Sequence, residues 1–358
     1  MKIIAIVAAM PRAGIDFFQS LLDGHPEISQ FPGNFYFDEF WPKLRDEKKS
    51  DNVARLFINN HEHFFDSKIN LVERHHMLGK DKKDFFSVNK ELFVKYFIDL
   101  MKNKNFNKKN LLCYLTLAYS KASGEDLSKK KIIILHLHHI YRFEVISELD
   151  YEIVCTIRDP LASYTSIINN WPKLKNKRMD SWSHYFQLNR IFCGIKEILN
   201  YQKKTYVIQL EKLHIENIKV MKDFCSKFDI LYNHTMAQST YHGKQWWGDA
   251  WSNKDFNGVN PNFKNNIDKD LFFKKDIECF ETYLKFFLLK YNYPLRSNGL
   301  KYSLLKYLPF KGELKILKNA IAFFNFKEIL YVLIHWVKRI KLMNKKNQNY
   351  LNFPNSIG

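Results

Sequence analysis

Apolar residues in this chain come in short, β-branched blocks separated by longer stretches in which they recur every three or four positions. Residues 3–9 form such a block, and 132–137, 152–157 and 206–210 repeat it. Runs of this length without polar alternation predict strands buried on both faces. Between the first two, 14–23 puts Phe17, Phe18, Leu21 and Leu22 on one helical face, with Gly24 and Pro26 as the stop. The same spacing predicts helices over 140–149, 183–201, 216–229 and 270–291. Strands alternating with helices predict the α/β class, a central parallel sheet flanked by helices. Two stretches fall outside the alternation. Residues 43–128 read as a mostly polar helical insertion, and 239–266, polar, aromatic and without clear period, as a surface loop folding over a site. The expected organisation is an α/β domain over 1–294 and a basic, aromatic helical C-terminal extension over 295–358.

Composition narrows this only in part. A length of 358 residues with 46% hydrophobic content permits a full core. The net charge of +19 points toward polyanions, yet only 10 of the 56 basic residues are arginine and the lysines are spread along the chain. No nucleic-acid partner is therefore expected, while anionic small molecules stay compatible. Cys113, Cys155, Cys193, Cys225 and Cys279 are widely scattered, which predicts reduced thiols and neither a disulfide frame nor a zinc site. The apolar start runs straight into Pro11 and Arg12, as a buried strand does and a signal peptide does not, and no run is long enough to span a bilayer. A cytoplasmic protein is expected. Within the extension, 315–341 reads as basic and amphipathic. Peripheral contact with the inner membrane face and packing against the body or a second subunit remain equal alternatives, and the oligomeric state is open.

Candidate chemistry sits at the strand ends. The block at 152–157 runs into Arg158-Asp159-Pro160, and Ser166 follows Arg158 by eight residues. That places a cation and a hydroxyl at the carboxyl edge of a buried strand, where open α/β sheets bind ligands, and the pair suits a phosphate. An Asp cap followed by Pro at the first helical position explains the same residues as an ordinary strand-to-helix turn. A second phosphate-type loop, Pro11 to Asp16, follows the first strand, so a doubly phosphorylated ligand is implied. His136 and His138 lie two apart at a strand end, on one face, with side chains suited to proton transfer near neutral pH. Hydrogen bonding to loop backbone accounts for them equally well. A His-x-His also suits a metal, but no third ligand at a sensible spacing is visible, and no metal is expected. His61, His63, His75 and His76 are expected in solvent, and Glu211 as a cap of its turn. Trp246, Trp247 and Trp251 either stack on a sugar or base or anchor their loop.

Taken in order, these motifs resemble the sulfotransferases of P-loop NTPase-like architecture that use 3′-phosphoadenosine 5′-phosphosulfate. Members open with a strand and Pro-Lys/Arg-Ser-Gly-Thr-Thr, a helix ending Leu-Leu-Asp-x-His-Pro, and a Pro-Gly turn. Here these are Pro11-Arg12-Ala13-Gly14-Ile15-Asp16, Leu21-Leu22-Asp23-Gly24-His25-Pro26 and Pro32-Gly33. The family's Arg-Asp-Pro strand end with a serine eight residues on is matched by Arg158 and Ser166, its acidic-x-Leu turn by Glu211-Lys212-Leu213, and its Tyr-Gly-Tyr-Pro helix end by Tyr291-Asn292-Tyr293-Pro294. A late Gly-Asp-Trp-like loop is approximated by Gly243-Lys244 and Gly248-Asp249-Ala250-Trp251. The resemblance covers roughly 1–294 and implies sulfuryl transfer without a metal. It implies a 5′-phosphosulfate on Arg12 and the amides of Ala13, Gly14, Ile15, Asp16 and Phe17, and a 3′-phosphate on Arg158 and Ser166, with Lys244 near either anion. It also implies a general base, in order His138, His136 or Glu39, and as acceptor a small molecule or glycan, here a carbohydrate or lipid-linked glycan. Two departures stand out. Ile15 and Asp16 replace two threonines, which leaves Asp16 beside an anion unless it turns away, and Asn34 replaces a glutamate. A non-catalytic nucleotide- or glycan-binding protein is one alternative. A P-loop phosphotransferase is another, weakened by the absence of Gly-x4-Gly-Lys-Ser/Thr.

Overall fold

The computed structural model describes residues 1–44, 47–175, 178–201, 205–251, 255, 258–297, 302–344 and 353–358. Positions 252–254 and 256–257 of the expected late loop, and 298–301 and 345–352 of the extension, lie outside the described residues.

Strands β1 (Lys2–Ala8), β2 (Ile28–Ser29), β3 (Ile132–His139), β4 (Tyr151–Ile157) and β5 (Thr205–Gln209) form one parallel sheet in the order β2-β3-β1-β4-β5, flanked by helices. Four are the predicted blocks; the two-residue β2 is too short to carry a period. Ile3 to Val7 of the central β1 are buried on both faces, as a crossover-covered sheet requires. The chain leaves β1 toward β3 on one side and later fills β4 and β5 on the other, so a crevice opens at the carboxyl ends of β1, β3 and β4. Pairing of β1 with β3 slips there: Ile6 is opposite His136 and Val7 opposite His138, leaving Leu137 as an extra residue, and His138 has φ +62°. A bulge of this kind bends the strand and re-aims its side chains.

Several expectations change. The insertion is helical over Ser50–Asn60, Lys90–Met101 and Lys108–Ala122, but it is not mostly polar inside: Phe57, Phe64, Phe65, Phe93 and Tyr119 pack around Phe31 and Phe35. Most of its polar residues lie on the outer faces, as amphipathic helices over a sheet edge require, though Ser67, Asn70, His75, Thr116 and Ser120 are buried. His75 is buried against Tyr241, and His61 and His63 are half-buried against Phe64, since flat apolar ring faces in this layer accept them. The segment 140–149 is a 3-10 turn over Ile140–Ile146, and 270–291 breaks at Leu284 into Lys274–Tyr283 and Lys285–Lys290. A separate helix, Leu210–Ile215, precedes Asn217–Phe228.

Beyond residue 294, helices Lys311–Ala322 and Phe326–Asn344 pack against the helix Ser181–Asn200, fastened by the Ser181 amide on Glu328 at 2.7 Å. The final residues join the sheet edge: the Ile357 amide donates to the Val207 carbonyl at 2.8 Å. One face of the extension is thus on the body, while its inter-helix turn leaves Phe323, Phe324 and Phe326 68%, 81% and 77% exposed. Among the described residues no helix is long and apolar enough to cross a membrane.

Candidate active site

At the carboxyl edge of the sheet lies a cleft of about 450 Å³, lined by Met10 to Phe17 after β1, His138 and His139 at the end of β3, Arg158 after β4, and Leu210 and His214 after β5. The size suits a small-molecule ligand. The loop after β1 is held tightly from both sides. Gly14 has φ +79°, and a Cβ there would lie 2.4 Å from Leu210 Cδ1, so the turn needs glycine. Arg12 is left-handed too, at φ +59°. A Cβ on Gly194 would come within 1.7 Å of the Ala9 carbonyl, so the Ser181–Asn200 helix packs directly on the loop backbone. Ser163 donates to the Pro11 carbonyl at 2.5 Å. Successive left-handed turns before a helix start form a concavity of amides suited to an anion.

Two arginines meet in this cleft. Arg158 Nη1 donates to the Arg12 carbonyl at 3.3 Å, and its Nε to Asn265 Oδ1 at 3.1 Å. Asn265 in turn donates to Glu211 Oε1 at 2.5 Å, and Glu211 also accepts from the Asp159 amide and from the Tyr293 hydroxyl, each at 3.0 Å. Glu211 therefore does more than cap its turn: it joins three segments and, through Asn265, aims Arg158. Burial lowers the pKa of Arg158, with Glu211 opposing, and the guanidinium stays charged. Asp159 caps the following helix through the Leu161 and Ala162 amides at 2.9 and 3.2 Å and pairs with Arg296. Arg12 Nη1 lies 2.8 Å from Asp249 Oδ2 on the late loop. That loop is anchored by Trp246 and Trp247, whose indoles donate to the Glu73 and Gly79 carbonyls, while Trp251 lines the cleft. His214 is stacked between Phe17, at 4.5 Å, and Phe263, at 4.4 Å, and all three rings face the cleft.

The floor carries a second group of residues. Asp16 turns away from the loop, as the departure from the threonine pattern requires, and meets two histidines: its Oδ1 is 3.7 Å from His138 Nδ1 and 3.8 Å from His136 Nε2. Burial opposes ionisation of Asp16, but interaction with His138 above all, and then with Arg12, outweighs it and holds the carboxyl below its ordinary range. Gln19 donates through Nε2 to the Phe31 and Gly33 carbonyls at 2.8 and 3.2 Å, which directs its Oε1 at His136 Nδ1, 2.7 Å away. That geometry makes Nδ1 the protonated nitrogen of His136 and leaves a lone pair on Nε2. Burial then pushes the His136 pKa down to about 3, so the ring is neutral. Beside this group Glu73 is buried, and burial together with the charges of Asp16 and Asp249 raises its pKa well above the carboxylate range.

Of the residues singled out in the sequence, Arg12, Ala13, Gly14, Ile15, Asp16, Phe17, His138 and Arg158 line the cleft, and His136 adjoins it through Asp16. Three others are placed differently. Ser166 is half-buried and accepts from Asn170, and the hydroxyl facing the loop is that of Ser163. Lys244 lies 3.7 Å from Asp84 in a separate surface pocket, carried there by the late hairpin. Glu39 is exposed and pairs with Arg142 at 2.8 Å. The cleft also contains Glu73 and Arg190, the latter 3.2 Å from His139 Nδ1, neither of which is marked by a local motif, and Asp249 of the late Gly-Asp-Ala-Trp loop, to which the sequence assigned no role. One signal was available for Arg190: in a lysine-biased chain with ten arginines, three of the ten line this cleft.

No protein-family profile matches the chain, and no curated protein sequence matches it. Among solved structures it is similar to the sulfotransferase domain of the Synechococcus PCC 7002 olefin synthase, with 13% identity, a TM-score of 0.40, and 73% of this chain and 85% of that one covered. It is similar to the sulfotransferase domain of the curacin biosynthetic pathway at 13% identity and TM-score 0.41, covering 89% and 97%. For sulfotransferase STF9 from Mycobacterium avium the identity is 13%, the TM-score 0.33, and the coverage 66% and 65%.

Proposed function

We propose that the cleft binds 3′-phosphoadenosine 5′-phosphosulfate and transfers its sulfuryl group to a hydroxyl of an acceptor, a carbohydrate or lipid-linked glycan. The observation that carries this reading is the meeting of Arg12 and Arg158 at the carboxyl ends of adjacent strands. Two fixed guanidiniums in one cleft, one on an amide-lined loop and one aimed by Asn265, suit a ligand with two separate anionic groups. The phosphosulfate takes the place that Asp249 holds on Arg12, and the stacked rings of Phe17, His214 and Phe263 offer a flat apolar face to the base. In the transfer, the acceptor oxygen bonds to sulfur and the bond from sulfur to the bridging oxygen of the 5′-phosphate breaks. The electron pair stays on the departing bisphosphate beside Arg12, and the acceptor proton passes to His138, which lines the cleft floor. A binding-only protein is the second reading. It is favoured by Ile15, which is 2% exposed and offers no hydroxyl to the anion.

Calorimetric titration with 3′-phosphoadenosine 5′-phosphate, ATP and AMP tests the donor site. Preferential binding of the bisphosphate is expected, weakened about 10- to 100-fold in Arg158→Ala, the range for losing a charge-assisted contact. No binding, or a preference for ATP, overturns the reading.

A further inference from the structure

We propose that Asp16, His136 and His138 form a binding site for a divalent transition-metal ion at the floor of the cleft. The inference rests on the sulfuryl-transfer reading for the ion's task but not for its existence.

Asp16 Oδ1, His136 Nε2 and His138 Nδ1 all lie within 4.8 Å of one another. His136 is 1% exposed, and neither its Nε2 nor the buried Nδ1 of His138 has a hydrogen-bond partner. The separations of 3.7 and 3.8 Å to Asp16 are too long for hydrogen bonds. Three atoms of metal-ligating type therefore come together, and neither ring nitrogen has a hydrogen-bond partner, an arrangement that a bound cation completes. Bonds of about 2.1 Å would set ligand atoms ~3.0–3.4 Å apart, so the carboxylate and the imidazoles draw inward when an ion binds.

Two further features are those of a ligand set. Gln19 fixes the ring of His136 through Nδ1, leaving Nε2 as the donor, which is the outer-shell support that metal-bound imidazoles carry. The β-bulge and the left-handed backbone of His138 bring a second imidazole to the same point, although strict alternation with Leu137 would have kept the strand regular. Two imidazoles and one carboxylate with open positions suit zinc, cobalt, manganese or iron(II) over magnesium or calcium. The cleft face of the site supplies those open positions, because Asp16 and His138 line it. With an ion bound the three side chains are its ligands and take no proton themselves: the ion polarises an acceptor hydroxyl, whose proton passes to solvent as the oxygen attacks sulfur. It also neutralises Asp16, the carboxylate that replaces a threonine next to the phosphosulfate loop.

The test is titration of tag-free, chelator-treated full-length protein with CoCl2, read by visible d–d absorption, with ZnCl2 as competitor. One cobalt per chain is expected, with binding weakened more than about 100-fold in Asp16→Asn and in His138→Gln, a residue whose side chain is partly exposed. Absence of saturable binding, or binding that survives both substitutions, overturns the site. A parallel titration of the chelated protein with the adenosine bisphosphate separates the two proposals. Bisphosphate binding without cobalt retires the ion and keeps the donor site. Cobalt binding without bisphosphate retires the sulfuryl-transfer reading and keeps the ion.

Discussion

Two buried polar groups in this protein are built on opposite terms. Under the C-terminal helices, Arg339 is 0% exposed, and its guanidinium meets Glu313 at 2.7 and 3.1 Å and the Lys306 and Leu308 carbonyls at 2.9 and 2.8 Å, over the face of Phe310. Glu313 also accepts the Phe310 amide at 2.7 Å. At the cleft floor, Asp16 lies 3.7 and 3.8 Å from His138 and His136, beyond ordinary hydrogen-bond length, and the two facing ring nitrogens have no hydrogen-bond partner. The first group is an ion pair whose donors and acceptors are matched by the protein itself, so its task is to hold the extension on the body. The second is left unmatched by the protein, and that is what marks it as a place for something else. Burial alone does not separate structural from functional polar groups; whether the protein completes their hydrogen bonding does.

The largest expected effect tests the matched group. Arg339→Leu strands Glu313 and two carbonyls in the interior and is expected to cost about 3–5 kcal/mol in urea unfolding. Replacing both partners in Arg339→Leu with Glu313→Leu is expected to recover much of that loss, because no charge is then left buried. A single substitution that costs under ~1 kcal/mol would break the comparison at its first leg.

How far the sequence showed these two groups follows from distance along the chain. The sheet was readable because blocks such as 152–157 are long enough to show their period, and Arg12, Gly14, Asp16 and Arg158 were readable because each sits within a few residues of a strand end. His136 and His138 were visible as a pair, but their partner Asp16 lies about 120 positions earlier, so no spacing could announce the triad. The bulge that aligns them depends on β1 pairing, which a single strand's pattern does not encode. Gln19 carries no mark in the sequence, and only its bonds to the turn at Phe31 and Gly33 reveal its orientation. The ion pair of Arg339 and Glu313 was hidden for the opposite reason: in a helix rich in lysine it resembled one more solvated charge. Ser166 and Lys244 were assigned by motif position, and motif position does not fix which way a helix turn or a hairpin faces.

A smaller effect sharpens the contrast through acid. His184 lies beside the matched group, 3% exposed, with its Nε2 2.6 Å from the Tyr164 hydroxyl and Gly312 of the extension packed against both. Burial, and then the charges of Arg339 and His335, push its pKa down to about 3. The unfolded chain takes up the proton near pH 6.5 and the folded chain does not. Stability from this residue is therefore complete above about pH 6.5 and falls as pH drops from there toward 3, by at most ~1.4 kcal/mol per pH unit. Chemical denaturation across that window is expected to show a shallower decline in His184→Gln, where no imidazole remains to titrate. An unchanged slope would mean that His184 is already charged in the folded state.

The smallest expected effect on stability bears most directly on the cleft floor. The Asp16 carboxylate lies 3.7 and 3.8 Å from the two imidazoles, beyond ordinary hydrogen-bond length, so Asp16→Asn, of the same shape, breaks no short contact to them. What it removes is a negative charge in the first turn of the helix Ile15–Leu21 together with its attraction to His138 and Arg12, and it also relieves the burial of that charge, which largely offsets the loss. Unfolding of this variant is expected within about 1 kcal/mol of the wild type, while cobalt binding is lost. A cost above ~2 kcal/mol would mean that Asp16 is a structural partner of the two imidazoles, and the floor would then belong with Arg339 and Glu313 as a matched group. A near-neutral change in stability paired with loss of the ion is the result that keeps the two groups apart, since a side chain serving only the fold cannot be removed without the fold registering it.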